Sequence, residues 1–111
     1  MNISTAINIA HILLIGPLFI YIGLMKGAIH EFIYIILASL GFFVIILHSY
    51  LGYFKIIKNK SALINLIHIF ILAPVMLIVA FYMNSANIFY YRFLLAGGFL
   101  TIFYHGFKLT S

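Results

Sequence analysis

Hydrophobic positions run almost unbroken along this chain, and the few polar residues inside the runs recur at helical spacing. No charge falls between Ile7 and Met25, Phe32 and Phe54, Ser61 and Tyr91, or Phe93 and Phe107. Each stretch supplies the roughly 20 apolar residues that a helix needs to cross about 30 Å of hydrocarbon. The pattern predicts an all-α membrane protein with four transmembrane helices, at about 6–25, 32–54, 62–82 and 88–108. The first span is expected to stay in the protein, since it lacks the basic leader of a signal peptide.

Sliding the chain against itself by 57 residues pairs Asn2 with Asn59, Ser4 with Ser61, Asn8 with Asn65, His11 with His68 and Pro17 with Pro74. The same offset pairs Phe32 with Phe89, Tyr34 with Tyr91, Gly41 with Gly98, Phe42 with Phe99, Ile45 with Ile102 and His48 with His105. Both prolines pair, and His30 is the one histidine without a histidine counterpart. The chain therefore reads as one transmembrane domain, residues 1–111, made of two tandem two-helix repeats, 1–54 and 58–111. An even number of spans returns the chain to its starting side, so the copies share an orientation, and short connections favour an up-down-up-down four-helix bundle.

Steps of three and four residues sort the spans into faces. In the second span Tyr34, Ala38, Gly41, Ile45, His48 and Gly52 share a seam, and in the fourth Tyr91, Leu95, Gly98, Ile102 and His105 do so. Small residues such as Gly41 and Gly98 let backbones approach, which marks these seams as helix-facing. The first span aligns Ser4, Asn8, His11, Ile15, Leu18 and Ile22, and the third Ser61, Asn65, His68, Leu72, Val75 and Val79. Pro17 and Pro74 are expected to kink their helices, eased by Gly16 and Ala73.

Composition sharpens the solvent. Hydrophobic residues make up 67% of the chain and charged residues 6%, with a mean hydropathy of +1.28, whereas a soluble surface needs about a quarter charged residues. The formal charge of +5 sits at helix ends and not in a patch interleaved with aromatics, so nucleic acid is not an expected partner. Lys55, Lys58, Lys60 and Lys108 fall on one side; Lys26 and Arg92, offset by Glu31, fall on the other. By the positive-inside rule both termini are expected in the cytoplasm, with the lysine-rich loop touching anionic lipid. Tyr50, Tyr53, Phe54, Tyr82, Tyr90 and Tyr104 fit an interfacial belt. Membrane lipids are the expected partners, and a homo-oligomer is compatible with the pattern.

The chemistry rests on histidine. With no cysteine, a metal centre must use nitrogen and oxygen ligands. Counted from the span midpoints, His11, His48, His68 and His105 all lie roughly 6–10 Å toward the lysine-rich side, which predicts a single four-histidine layer. The leading expectation is a site for Cu, Zn or Fe, or for haem b, with His11, His48, His68 and His105 as ligands. Asn8 and Asn65, with Ser4 and Ser61 a turn further on, would support the rings by hydrogen bonds, and Gly41 and Gly98 would clear room for a haem. Facing histidines in four helices resemble the architecture of b-type membrane cytochromes, and this resemblance implies the haem variant only.

Two alternatives stand beside it. One is a proton or ion pathway through the histidine layer, entered along a Ser–Asn ladder. The other is a structural membrane protein of a larger assembly, its histidines serving as interhelical hydrogen-bonding groups. His30 and Glu31 read as a solvated loop. The single acidic residue, Glu31, and the absence of a nucleophile–base pair or phosphate loop argue against hydrolytic and phosphoryl-transfer enzymes, so no catalytic residue is assigned.

Overall fold

The computed structural model describes every residue from Met1 to Ser111 and is built of helices without strands. Four helices are long and apolar enough to cross a membrane: α1 (Ile3–Met25), α2 (Glu31–Ile57), α3 (Leu63–Ser85) and α4 (Ile88–Thr110). All four begin or end a few residues beyond the predicted spans. Asn2 Oδ1 accepts the Thr5 N–H at 2.7 Å, Ser61 Oγ accepts the Leu63 N–H at 3.3 Å, and Asn87 Oδ1 accepts the Phe89 N–H at 2.9 Å. Each satisfies one of the amide donors that a helix start leaves without an internal partner.

His30 corrects the sequence reading. It is not merely part of a solvated loop: its Nδ1 accepts the Phe32 N–H at 3.0 Å and so caps α2. Asn87, its counterpart at the repeat offset, does the same for α4.

Neither α1 nor α3 is uniform. His11–Ile15 and His68–Leu72 are π-helical turns, closed by the Gly16 N–H on the His11 carbonyl and the Ala73 N–H on the His68 carbonyl. Pro17 and Pro74 follow directly. A proline lacks the amide hydrogen of the α ladder and its ring presses on the carbonyl four residues back. One wider turn absorbs both faults, since a π bulge inserts a residue and shifts the register of carbonyls ahead of the ring.

The α-helical parts of α1 and α3 end alike as well, at Met25 and at Tyr82, the latter followed by a 3-10 turn, Met83–Ser85. Lys26 has φ 55° and ψ −124°, and Met83 has φ 53° and ψ −128°. The π turns, the prolines and this left-handed exit all recur at the 57-residue offset of the sequence pairing.

Compactness divides the chain into a terminal unit, Met1–Ile29 with Asn87–Ser111, and a central unit, His30–Ala86. The terminal unit contains α1 and α4, and the central unit α2 and α3. Each unit therefore takes one helix from either half of the sequence. In the terminal unit α1 and α4 run antiparallel, with His11 beside His105 and Gly23 beside Leu95. Buried Phe19, Ile22, Tyr91 and Leu94 fill the terminal unit. In the central unit α2 and α3 form an antiparallel hairpin, with His48 beside His68 and Gly41 beside Leu77. Here Tyr34, Leu37, Ala73, Met76, Val79 and Ala80 are buried.

The predicted seams are buried in part, and Phe19, Leu37, Met76 and Leu94 beside them are buried as well. Tyr34, Gly41 and Gly52 are buried on α2, as are Tyr91 and Gly98 on α4. Between apolar helices in lipid the gain comes from close packing, since lipid tails are as apolar as leucine. A Cβ on Gly98 would stand 2.8 Å from the Gly16 carbonyl oxygen and 3.0 Å from the Ile20 amide nitrogen. Glycine at that position is what lets the two backbones meet.

Candidate functional site

Each unit holds one cluster of two histidines and an asparagine, near Lys108 in sequence in the terminal unit and toward the Lys55–Lys60 loop in the central unit. The backbone places the first histidine of each cluster at the start of a π turn, His11 on α1 and His68 on α3. Its ring folds back along its own helix: His11 Nδ1–H donates to the Ile7 carbonyl at 2.8 Å, and His68 Nδ1–H donates to the Ile64 carbonyl at 2.7 Å. A carbonyl oxygen only accepts, so the proton of both rings sits on Nδ1.

The second histidine comes from the facing helix and stacks on the first. The ring centroids of His11 and His105 are 4.1 Å apart with an interplanar angle of 22°, and those of His48 and His68 are 4.1 Å apart at 15°. The asparagine one turn before the first histidine then reaches across to the second. His105 Nδ1–H donates to Asn8 Oδ1 at 2.7 Å. In the central unit the polarity is reversed, and Asn65 Nδ2–H donates to His48 Nδ1 at 2.9 Å. Both asparagines are buried, Asn8 at 6% exposed and Asn65 at 2%. The reversal leaves Asn65 Oδ1 buried with no hydrogen-bond partner.

The structure brings the four histidines and two asparagines into contact, in part with other partners than the sequence predicted. Asn8 and Asn65 do hydrogen-bond histidine rings, but those of the facing helix and not those one turn along their own. Ser4 and Ser61 are exposed; Ser61 caps α3, and no Ser–Asn ladder leads inward. The expected single four-histidine centre finds no support: no group of three or more His, Cys, Asp or Glu side chains is placed to hold a metal ion. The physical reason is local. Each ring is held by a carbonyl or an asparagine on one side and by its stacked neighbour on the other, which gathers the histidines in twos.

The room expected for a haem at Gly41 and Gly98 is also taken. A Cβ on Gly41 would lie 2.8 Å from Leu77 Cδ2, and one on Gly98 would meet Gly16 and Ile20. Those glycines serve helix packing. The π turns were missed, although their signal was on view: a proline follows each histidine at the same spacing, Pro17 after His11 and Pro74 after His68.

The terminal cluster carries one feature without a central counterpart. The Tyr104 ring stands edge-on to His105, with centroids 5.1 Å apart and planes at 88°, and Lys108 Nζ lies 5.2 Å from the Tyr104 centroid. Leu47 and Leu51 occupy the corresponding positions of α2. Searches against protein-family models, curated proteins and solved structures find no match to this chain.

Proposed function

We propose that this chain is a polytopic membrane protein, built by duplication of a two-helix unit, whose His–His–Asn clusters act as interhelical clamps that hold pairs of antiparallel spans in register. The observation that carries this reading is the reach of each asparagine across to the histidine of the facing helix, Asn8 to His105 and Asn65 to His48. In hydrocarbon such groups have few other partners, and interhelical hydrogen bonds there contribute about 0.6 kcal/mol on average and up to about 1.7. The recurrence of π turns, prolines and helix exits at one offset supports the duplication. The protein then serves as a membrane scaffold, with its lysine-rich end on the cytoplasmic side as the charge asymmetry favours.

The test is to change His48 and His105 together to Phe, and separately to Gln, in the full chain in bilayers. The clamp reading expects the Phe pair to lower the unfolding midpoint and the Gln pair, which keeps a hydrogen-bonding group, to recover much of it. Unchanged stability in the Phe variant would remove the clamp.

A second reading is metal coordination by the histidines, and one observation favours it. His11, His68 and His105 each direct Nδ1–H at an oxygen, which is how metal-ligating histidines are oriented so that Nε2 faces the ion. A haem finds less support, because the glycine clearance is filled. A proton pathway lacks a carboxylate relay, Glu31 being the single acidic residue. Metal analysis of the purified protein decides: a colourless protein without bound metal ends the second reading and leaves the first.

A further inference from the structure

We infer that the turn joining α2 to α3, with Lys55, Lys58 and Lys60, is a docking surface for the headgroups of anionic phospholipids. The inference is independent of the histidine clusters and goes beyond the clamp reading. It follows from how the backbone gathers the charges and from the surface beside them.

The Lys60 N–H donates to the Lys55 carbonyl at 2.8 Å, the Asn59 N–H donates to the Ile56 carbonyl at 3.1 Å, and Asn59 itself has φ 56°. This is the Schellman ending of a helix, with Asn in the left-handed position usually held by Gly. Because the chain reverses at Asn59, the Lys60 backbone returns to Lys55, while Lys55 and Lys58 are neighbours on the helix surface by their spacing of three. Three lysine stems therefore leave a single turn.

No acidic side chain of the protein neutralises them. The only one in the chain, Glu31, begins the same helix, about 36 Å from Lys55 at 1.5 Å per residue. Lys108 differs, since its ammonium lies over the Tyr104 ring. Lys58 and Lys60 are exposed and Lys55 is half-buried. Like charges held on one turn repel, so an anion from outside the protein stabilises the arrangement.

The neighbouring surface selects the anion. Tyr50, Tyr53, Phe54 and Ile57 are exposed on the last turns of α2, and the rings of Tyr50 and Tyr53 both stand edge-on to Phe54, at 4.8 and 5.5 Å between centroids. Aromatic residues at the end of an apolar span lie at the level of the lipid headgroups. Lysines a turn further along put their ammonium groups into that layer and lay their methylene stems on apolar surface. Lipid phosphates are thus concentrated where the charges stand, and free anions are not. Each lysine so placed favours anionic lipid by about fivefold.

The test uses the full chain in nanodiscs of phosphatidylcholine with a minor share of phosphatidylglycerol. Each lipid is spin-labelled in turn, and electron paramagnetic resonance of the lipid immobilised at the protein gives their relative association. Phosphatidylglycerol is expected to be preferred by about fivefold or more. Changing Lys55, Lys58 and Lys60 together to Gln should abolish most of that preference, and changing them together to Arg should keep it. Asn59→Val leaves every charge in place but cannot hold φ 56° without strain, so it should lower the preference, whereas Asn59→Gly should not. Because the glutamine variant could insert differently, the unaltered protein supplies a second readout: nitrogen-15 signals of the Lys55, Lys58 and Lys60 ammonium groups are expected to couple through space to lipid phosphorus-31. Full preference in the glutamine variant or in Asn59→Val, or absence of that coupling, would overturn the inference. So would displacement of phosphatidylglycerol by inorganic phosphate, which would reveal a site for free anions, or by an acidic peptide, which would reveal a protein partner.

Discussion

The terminal and central units are two settings of one helix pair. Where α1 carries Gly16 and Gly23, α3 carries Ala73 and Ala80. The consequence is visible at the contact. A Cβ on Gly23 would stand 2.6 Å from Leu95 Cβ and 2.8 Å from the Leu95 backbone nitrogen, so α1 and α4 meet backbone to backbone there. In the central unit a Cβ on Gly41 meets the tip of Leu77, and one on Gly52 meets Asn65 Cβ at 3.3 Å. Side chains, not backbones, set that spacing. The polar cluster survives the difference in its stacking distance, 4.1 Å in both units, but not in its hydrogen bonding, which is complete around Asn8 Oδ1 and leaves Asn65 Oδ1 without a partner. One set of residues thus supports two helix contacts, and the polar chemistry reports which is which.

The largest effect should come from closing the gap between these settings. Gly23→Ala in the terminal unit forces a Cβ against immovable backbone and is expected to destabilise by about 1–3 kcal/mol, as overpacking of a filled contact does. Gly41→Ala in the central unit pushes on a leucine tip that can change rotamer, and should cost less than about 1 kcal/mol. Unfolding of both variants in mixed micelles, followed by circular dichroism, measures the pair. Equal losses would mean that the two contacts are alike after all.

The sequence carried much of this. Four spans were legible because lipid demands about 20 apolar residues and tolerates few charges, and Tyr34, Gly41, Tyr91 and Gly98 were placed on buried seams by helical spacing alone. The 57-residue pairing suggested which residues correspond. It did not show which helices pair, because the 57-residue offset constrains equivalence and leaves contact open; α1 with α4 and α2 with α3 is one of several pairings it allows. The tautomers were beyond reach for the same reason: the proton on His105 is decided by Asn8, a residue almost the whole chain away. The caps show the converse. His30 and Asn87 are chemically dissimilar, and their shared role at a helix start is a matter of backbone geometry that residue identity concealed.

A smaller but cleaner contrast lies in the two asparagines. Asn8→Leu takes the acceptor from the half-buried His105 N–H, and losing that bond costs about 1–2 kcal/mol. Asn65→Leu loses one hydrogen bond and also removes a buried carbonyl that has no partner, so the two changes oppose each other and the net loss should stay below about 0.5 kcal/mol. Denaturant titrations of the two variants under identical conditions test this. If Asn65→Leu proves as damaging as Asn8→Leu, the carboxamide of Asn65 has its oxygen on His48, and the chemical distinction between the clusters disappears.

The smallest expected effects are at the caps, and they separate equivalence from identity. Asn is among the preferred residues at a helix start, and its replacement by Ala costs about 0.5–1 kcal/mol. Asn87→Ala should show that loss. His30→Ala should cost only a few tenths, since an imidazole nitrogen at 3.0 Å makes a weaker cap and the ring is exposed. The decisive change is His30→Asn, which gives α2 the cap that α4 already has. It is expected to raise the unfolding midpoint slightly, because a short carboxamide reaches the Phe32 N–H with less side-chain ordering than an imidazole. A fall in stability would show that His30 does more than cap the helix.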